Sequence, residues 1–269
     1  MPRVACVQLR STADVAQNLE AVRNQVLRAA GMGATLIATP ENTTFLGPAA
    51  KKLTLAEPVD GPTHRALGGI AKDAGAWLVV GSVAETAPGG QCYNTSLVFD
   101  PSGALIASYR KIHLFDVDIP GGPSFRESAF IAPGHDLVVV PTPVGVLGLS
   151  ICFDLRFPQV YRELVHRGAD TLLVPSAFTV PTGKEHWHLL LRARAVESQS
   201  FVLAPAQVGK HDDDGIRESY GHSLIVDPWG RVLADAGLDP EGIAIADLDP
   251  AQVVNVRAGM PLRSPLFPT

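Results

Sequence analysis

Three residues of this chain have types and settings that chemistry could use. Cys152 closes the apolar run VGVLGLSIC and is followed by FDLRFP and then a helical pattern, which predicts a strand-to-helix turn. Such a turn exposes a nucleophile at the carboxyl edge of a sheet, and the backbone N–H groups that follow can bind a developing oxyanion. Glu41 directly follows the apolar strand ATLIATP, in TPENTTF, where it could be a general base or a loop or helix-cap carboxylate. Lys111, in YRKIHLF, ends a strand-like run; a partly desolvated ammonium there would need carboxylate partners, whereas a lone lysine is more often at the surface.

A thiol titrates near about 8.5, so at neutral pH it is mostly protonated and gains from a neighbouring base and a nearby cation. A carboxylate and an ammonium supply both, and the ammonium can afterwards stabilise an oxyanion. Sequence separation alone does not show that the three residues converge. By itself Cys152 reads as a core thiol, since free cysteine is among the most buried residue types. Cys6 lies mid-strand and Cys92 stands just before YNTSLVF; neither has such a turn, and both read as structural. An odd number of cysteines without a CxxC pair argues against a disulfide framework and a zinc ribbon.

The elements that would position these residues alternate. RVACVQL, ATLIATP and AWLVVGSVAE read as strands, with helices expected from about Asp14 to Ala30 and from Pro62 to Ala74 between them. Asp14 and Gln17 form a capping-box pattern and Gly31 a stop; Pro62 and Gly75 punctuate the second helix. Later helices are expected from about Pro158 to Arg167 and from about Glu185 to Gln199, with the strand DTLLVPSAF between them. YNTSLVFDPSGALIASYRKIHLF and HSLIVDPWGRVLADAG read as two similar hairpins within one sheet system. The order predicts an α/β fold in one domain over residues 1–250. The four prolines after Asp247 suggest an extended arm over 251–269 that could lie on a second subunit.

Composition narrows the class. An apolar fraction of 46% with 18% charged residues is that of a globular domain. A net charge of −5 with scattered basic residues gives no footprint for nucleic acid or anionic lipid. MPRVACVQLR enters a strand pattern without a leader-like segment, and no later run approaches a membrane span, so the cytoplasm is the expected location.

The sequence resembles the nitrilase superfamily of carbon–nitrogen hydrolases. The match is carried by TPEN around Glu41, YRKIHLFDVDIPG around Lys111 and LSICFDLRFP around Cys152, and continues through PSAFTVPTGKEHWHLLLRARAVESQ and YGHSLIVDPWG, nearly the whole chain. The resemblance implies an αββα sandwich carrying a Glu-Lys-Cys triad, with no cofactor and no metal, in a homodimer or larger assembly. Glu41 would take the thiol proton while Cys152 attacks the amide carbon, and Lys111 with the backbone N–H of Phe153 would hold the oxyanion. Glu127, in SFRESAF, occupies the place of an assisting glutamate. Within the superfamily, the stretch from YRKIHLFDVDIP to YGHSLIVDPWG is most similar to proteins that hydrolyse deaminated glutathione and to the ω-amidases. The implied substrate is a primary amide of a small 2-oxo carboxylic acid, cleaved to acid and ammonia, with deaminated glutathione first and 2-oxoglutaramate second. N-carbamoyl amino-acid hydrolases and nitrilases use the same triad, and a binding protein that keeps the fold without turnover is the non-enzymatic alternative.

A carboxylate-bearing substrate needs a positive anchor. Arg156, four residues after Cys152, could fork onto it, or could pack or pair with Asp154 instead. By resemblance TGKEHW lines the substrate entrance, which adds Phe178, Thr182 and His186 as binding candidates. Arg194, on the apolar face of its helix, reads as structural with Glu197 as partner. His186 and His188 point apart on a helix and no third ligand stands at a recognisable spacing, so a zinc site is not expected. Gly31-Met32-Gly33 is no dinucleotide fingerprint, because a strand follows where a helix should begin.

Overall fold

The computed structural model describes residues 1–119, 124–211 and 217–262. Two six-stranded sheets form its centre. The first runs in the order Ile243–Asp247, Arg3–Val7, Leu36–Ala38, Trp77–Thr86, Cys92–Phe99, Leu105–Arg110. The second runs Val232–Asp235, Leu224–Val226, Phe201–Ala204, Thr171–Leu173, Gly145–Leu149, Val139–Thr142. In each sheet parallel strands occupy the middle and antiparallel pairs the flanks.

Among the described residues six α-helices accompany them: α1 (Val15–Gly31), α2 (Ala49–Thr54), α3 (Pro62–Ala74), α4 (Pro158–His166), α5 (Val180–Ser198) and α6 (Pro250–Gly259). Strand parity decides what each sheet face meets. On the first sheet Ala5, Val7, Ile37, Leu78 and Val80 pack with Val22, Val26 and Leu67 of α1 and α3. The alternate residues Val4, Cys6, Leu36, Ala38 and Val79 turn the other way, into one core with the second sheet and with Trp187 and Leu191 of α5. The layers are therefore helix, sheet, sheet, helix: the αββα sandwich in a single α/β domain.

Local signals placed several boundaries well. Asp14 caps α1 by accepting from the N–H groups of Ala16 and Gln17; Gln17 does not return a bond, and its Oε1 accepts from Thr12 instead. Gly75 ends α3 in the left-handed conformation that glycine adopts without penalty.

Three expectations need correction. The helix expected from Glu185 begins five residues earlier, at Val180, because Pro181 and Gly183 read as a turn but sit in the first helical turn, where proline costs nothing. The segment after residue 250 is not extended up to Gly259: Asp249 caps it, Pro250 takes the first helical position, Val253 is buried, and Arg257 donates to Ala169 O and Ser200 Oγ. Residues 263–269 of the expected arm lie outside the described residues. The two similar hairpins do not share a sheet, since 92–110 closes one edge of the first sheet and 224–235 one edge of the second.

Candidate active site

Glu41 and Cys152 both emerge beyond the carboxyl ends of parallel strands, Leu36–Ala38 in one sheet and Gly145–Leu149 in the other, where open α/β sheets place their ligands. Stacking the sheets brings those two ends together. Gly81 makes room for the turn that carries Glu41: a Cβ there would lie 2.2 Å from Thr39 O and 2.3 Å from Pro40 O. Lys111 follows the edge strand Leu105–Arg110, with its backbone N–H on Asn94 O and its carbonyl accepting from Gly134.

Cys152 has φ +47°, the left-handed region that a residue with a Cβ enters at a cost of about 1 kcal/mol or more. Its surroundings hold it there. The Cys152 N–H donates to Pro175 O at 2.9 Å, and the buried Asp154 accepts from Ile151 N–H at 2.9 Å, Tyr109 OH at 2.7 Å and His113 N–H at 3.0 Å. Asp154 thus ties the cysteine turn to residues on either side of Lys111. It does not pair with Arg156, one of the alternatives the sequence left open.

The Lys111 ammonium donates to Glu41 Oε1 at 2.9 Å and to Glu127 Oε2 at 2.8 Å, and is 1% exposed. Asn94, which sequence reasoning missed, spans the same two carboxylates, donating to Glu41 at 2.9 Å and Glu127 at 3.4 Å. Glu41 Oε2 accepts from the Ala177 N–H at 2.9 Å, and the Cys152 thiol interacts with the same carboxylate. Glu127 is fixed by the Phe115 N–H at 2.6 Å. An ammonium has three N–H groups, and two are committed, which leaves one for a ligand.

Burial opposes charge on Glu41, but the charge and hydrogen bond of Lys111, with those from Ala177 and Cys152, outweigh it and hold the carboxyl well below the usual range. Burial likewise opposes the Lys111 charge, and Glu127 and Glu41 overcome it, keeping the ammonium protonated. The Cys152 thiol is pushed up, by burial first and the Glu41 charge second, with Lys111 only partly compensating. The resting arrangement is therefore a thiol beside a carboxylate. A thiol in this setting could act as a nucleophile only by giving up its proton as it attacks, and the adjacent carboxylate is placed to receive it.

These four residues line a cavity of about 310 Å³ walled by Phe45, Phe115, Phe125, Phe130, Phe153 and Phe178. Arg156 and Thr182 also line it. The Arg156 guanidinium lies over the Phe178 and Phe153 rings at 5.3 and 5.9 Å. His186 is not among the lining residues; its Nδ1 stands 3.3 Å behind Arg156 Nη2. Arg194 is structural: it donates to Leu155 O at 3.0 Å, pairs with Glu197 and covers the Tyr161 ring.

His186 and His188 do point apart, but a third and a fourth group reach His188 from distant sequence. Its Nε2 lies 2.9 Å from Asp235 Oδ2, and His222 Nδ1 lies 3.0 Å from Asp235 Oδ1. The donor atoms of these three side chains fall within 4.8 Å of one another, close enough to share a metal ion, and none of the three lines the cavity. No spacing rule joins residues 188, 222 and 235.

The αββα fold and this cluster of thiol, carboxylate and ammonium at the wall of one cavity define a class of hydrolase. The family profile Carbon-nitrogen hydrolase matches residues 3–258. The chain is 41% identical over 261 residues to the deaminated glutathione amidase of Synechocystis sp., covering 96% of this chain and 95% of that protein. Among solved structures, the Caenorhabditis elegans NitFhit protein superposes with a TM-score of 0.90 at 37% identity, over 97% of this chain; the match spans 64% of that longer chain. Saccharomyces cerevisiae Nit3, a member of branch 10 of the nitrilase superfamily, superposes with a TM-score of 0.87 at 31% identity, over 98% of this chain and 96% of its own. The chain belongs to the carbon–nitrogen hydrolase family of the nitrilase superfamily, whose members hydrolyse carbon–nitrogen bonds other than peptide bonds.

Proposed function

We propose that this enzyme cleaves an amide of a small 2-oxo carboxylic acid through a thioester on Cys152, with deaminated glutathione as the foremost substrate and 2-oxoglutaramate as the second. The single observation that carries the mechanism is the placement of Lys111 Nζ between Glu41 and Glu127, beside the Cys152 thiol, at the wall of one cavity. Glu41 accepts the thiol proton as sulfur attacks the amide carbon. The remaining N–H of Lys111 and the backbone N–H of Phe153 receive the oxyanion. Glu41 then passes the proton to the departing nitrogen, and a water it activates hydrolyses the thioester. Glu127 and Asn94 keep the ammonium and carboxylate in register. Arg156, half-buried over two aromatic rings, supports a carboxylate on the acid portion of the substrate.

The choice of deaminated glutathione rests on the name of the Synechocystis relative and on that cationic side chain. This corrects the expectation of a primary amide for that compound: its scissile nitrogen belongs to a cysteinyl residue, so the departing group is cysteinylglycine, and ammonia is the product only from a primary amide such as 2-oxoglutaramate. Purified protein should therefore release cysteinylglycine from the first and ammonia from the second, with N-carbamoyl amino acids and nitriles turned over far more slowly. Equal or faster turnover of a carbamoyl amino acid or a nitrile would overturn the substrate reading and leave the thiol chemistry in place.

For the assembly we propose a homodimer, supported by the exposed Leu189 and Val196 of α5 and the exposed Trp229, with the described part of the C-terminal segment, 251–262, held beside the end of α5 by the bond from Gln199 to Met260 O. Sedimentation velocity showing a monomer at micromolar concentration would refute it. Three free thiols fit a reducing compartment, and we place the enzyme in the cytoplasm. No helix among the described residues is long and apolar enough to cross a membrane.

A further inference from the structure

Lys52 is a buried lysine that the mechanism above does not use. It stands on the short helix α2, is 8% exposed, and lines the same cavity as Cys152. Its ammonium donates to Asn42 Oδ1 at 2.6 Å, a neutral acceptor. Among the described residues no carboxylate forms an ion pair with it. The two acidic groups nearest in the site, Glu41 and Glu127, are both held by Lys111.

Burying an ammonium without a counter-charge is costly, and it is tolerated where a partner arrives from outside the chain. Asn42 fixes the geometry. It has φ +59°, donates its backbone N–H to Ser82 Oγ at 2.8 Å, directly follows Glu41 and lines the same cavity, so the acceptor that holds Lys52 is itself fixed in the cavity wall. Arg156, four residues after Cys152 in the chain, lines the same cavity, as do Arg126, which pairs with Asp118, and Arg217. The cavity thus holds two cations from separate segments of the chain, Lys52 and Arg156, together with several phenylalanines. Such a site matches a ligand that carries two anionic groups joined by an apolar stretch.

We infer that Lys52 is a second carboxylate anchor of the active-site cavity, selecting substrates with a carboxylate beyond the scissile amide as well as one on the acid portion. The ligand class is a dicarboxylate, and the inference rests on the amidase reading only for the assignment of ends. Burial pushes the Lys52 ammonium down from its ordinary value, with Cys92, Glu127 and Glu41 pulling it up and Arg217 opposing them. A bound carboxylate would act in the same direction as the three acidic groups.

Protection of Cys152 tests this without any substrate. Iodoacetamide, a neutral alkylating agent, is reacted with the intact enzyme in the presence of glutarate or of uncharged glutaramide, and Cys152 modification is followed by mass spectrometry. Glutarate should protect the wild type and glutaramide should not. Lys52→Met should weaken glutarate protection at least tenfold, while Lys52→Arg should hold it within a few fold. An unchanged iodoacetamide rate without additive shows that each variant keeps its cavity. With deaminated glutathione, Lys52→Met should raise KM at least tenfold and leave kcat within twofold. Glutarate protection equal in Lys52→Met and wild type would overturn the anchor, as would absence of protection in the wild type. Failure of the wild type to cleave either 2-oxo acid amide would overturn the substrate reading alone, because protection by glutarate does not depend on it.

Discussion

Cys6 and Cys152 are both buried thiols of one core, and burial pushes both well above the ordinary cysteine value. By exposure and by the direction of titration they are alike. The difference lies in backbone and neighbours. Cys6 sits mid-strand in extended backbone, its side chain between the sheets, with Ala244 and Ala38 beside it in the ladder. Cys152 sits at a left-handed turn beyond a strand end, against a carboxylate, near an ammonium, on the wall of a cavity. A raised thiol value therefore marks burial, and it takes a base within reach to make burial useful. The same desolvation that disfavours the thiolate strengthens the field of Lys111 on an oxyanion.

The largest expected effect separates the two thiols directly. Cys152→Ala should lower kcat/KM for amide hydrolysis by about 10⁴ or more, since no other group can form the thioester, whereas Cys6→Ala should stay within about twofold. Product release from a saturating amide measures both. A Cys152→Ala enzyme retaining a tenth of the activity would end the covalent mechanism.

Next comes Glu41→Gln, which should cost about 10² to 10⁴ in kcat, the usual worth of a general base. The same change should have the opposite effect on intrinsic thiol reactivity. The Glu41 charge raises the Cys152 value and Lys111 lowers it; without the carboxylate charge the lysine prevails. The midpoint of alkylation against pH should move down in Glu41→Gln while catalysis collapses. Iodoacetamide rates from pH 6 to 10 would show it, and a midpoint that moves up would contradict the electrostatic arrangement. Cys6, remote from both charges, should give no response in either enzyme.

Stability offers a third contrast. The Glu41 carboxyl lies below its unfolded value of about 4.3, brought down to about 2 by Lys111 and its hydrogen bonds against the opposing effect of burial. A depressed carboxyl contributes stability that is complete above the unfolded value and is lost as pH falls towards the folded one. Between pH 5 and pH 3 the wild type should lose more stability than Glu41→Gln, on the order of 1 kcal/mol or more, as read from urea midpoints at the two pH values. Equal losses would mean that the ion pair contributes nothing to folding.

Much of this was legible in short-range pattern. Capping, glycine stops and strand parity are local, and they placed α1 and α3 and the turn at Cys152. Where helix boundaries were misread, proline was the cause: Pro181 and Pro250 look like breakers but stand in first helical turns; the sheet to which each hairpin belongs is set by long-range pairing instead. The site was legible only in part. Glu41, Lys111 and Cys152 stand at element ends, which sequence shows, but their meeting depends on two sheets stacking. Glu127 carried no signal of its own beyond the family pattern. Asn94, Asp154 and Lys52 act through partners that lie far away in sequence, and nothing in their neighbourhoods announces them.

The smallest expected effect tests whether Cys6 is only packing. Its neighbours across the ladder on both sides are alanines, so the slot between the sheets is sized by a small side chain. Removing the sulfur leaves a void of about one methyl group, and Cys6→Ala should cost about 1 kcal/mol of stability. Cys6→Leu should cost more, because the close-packed layer cannot widen for the added atoms. Neither change reaches the cavity except through a shift of the first sheet against the second. If Cys6→Leu lowers kcat while Cys6→Ala does not, the spacing of the sheets sets the distance between Glu41 and Cys152, and the inert thiol guards the geometry of the reactive one.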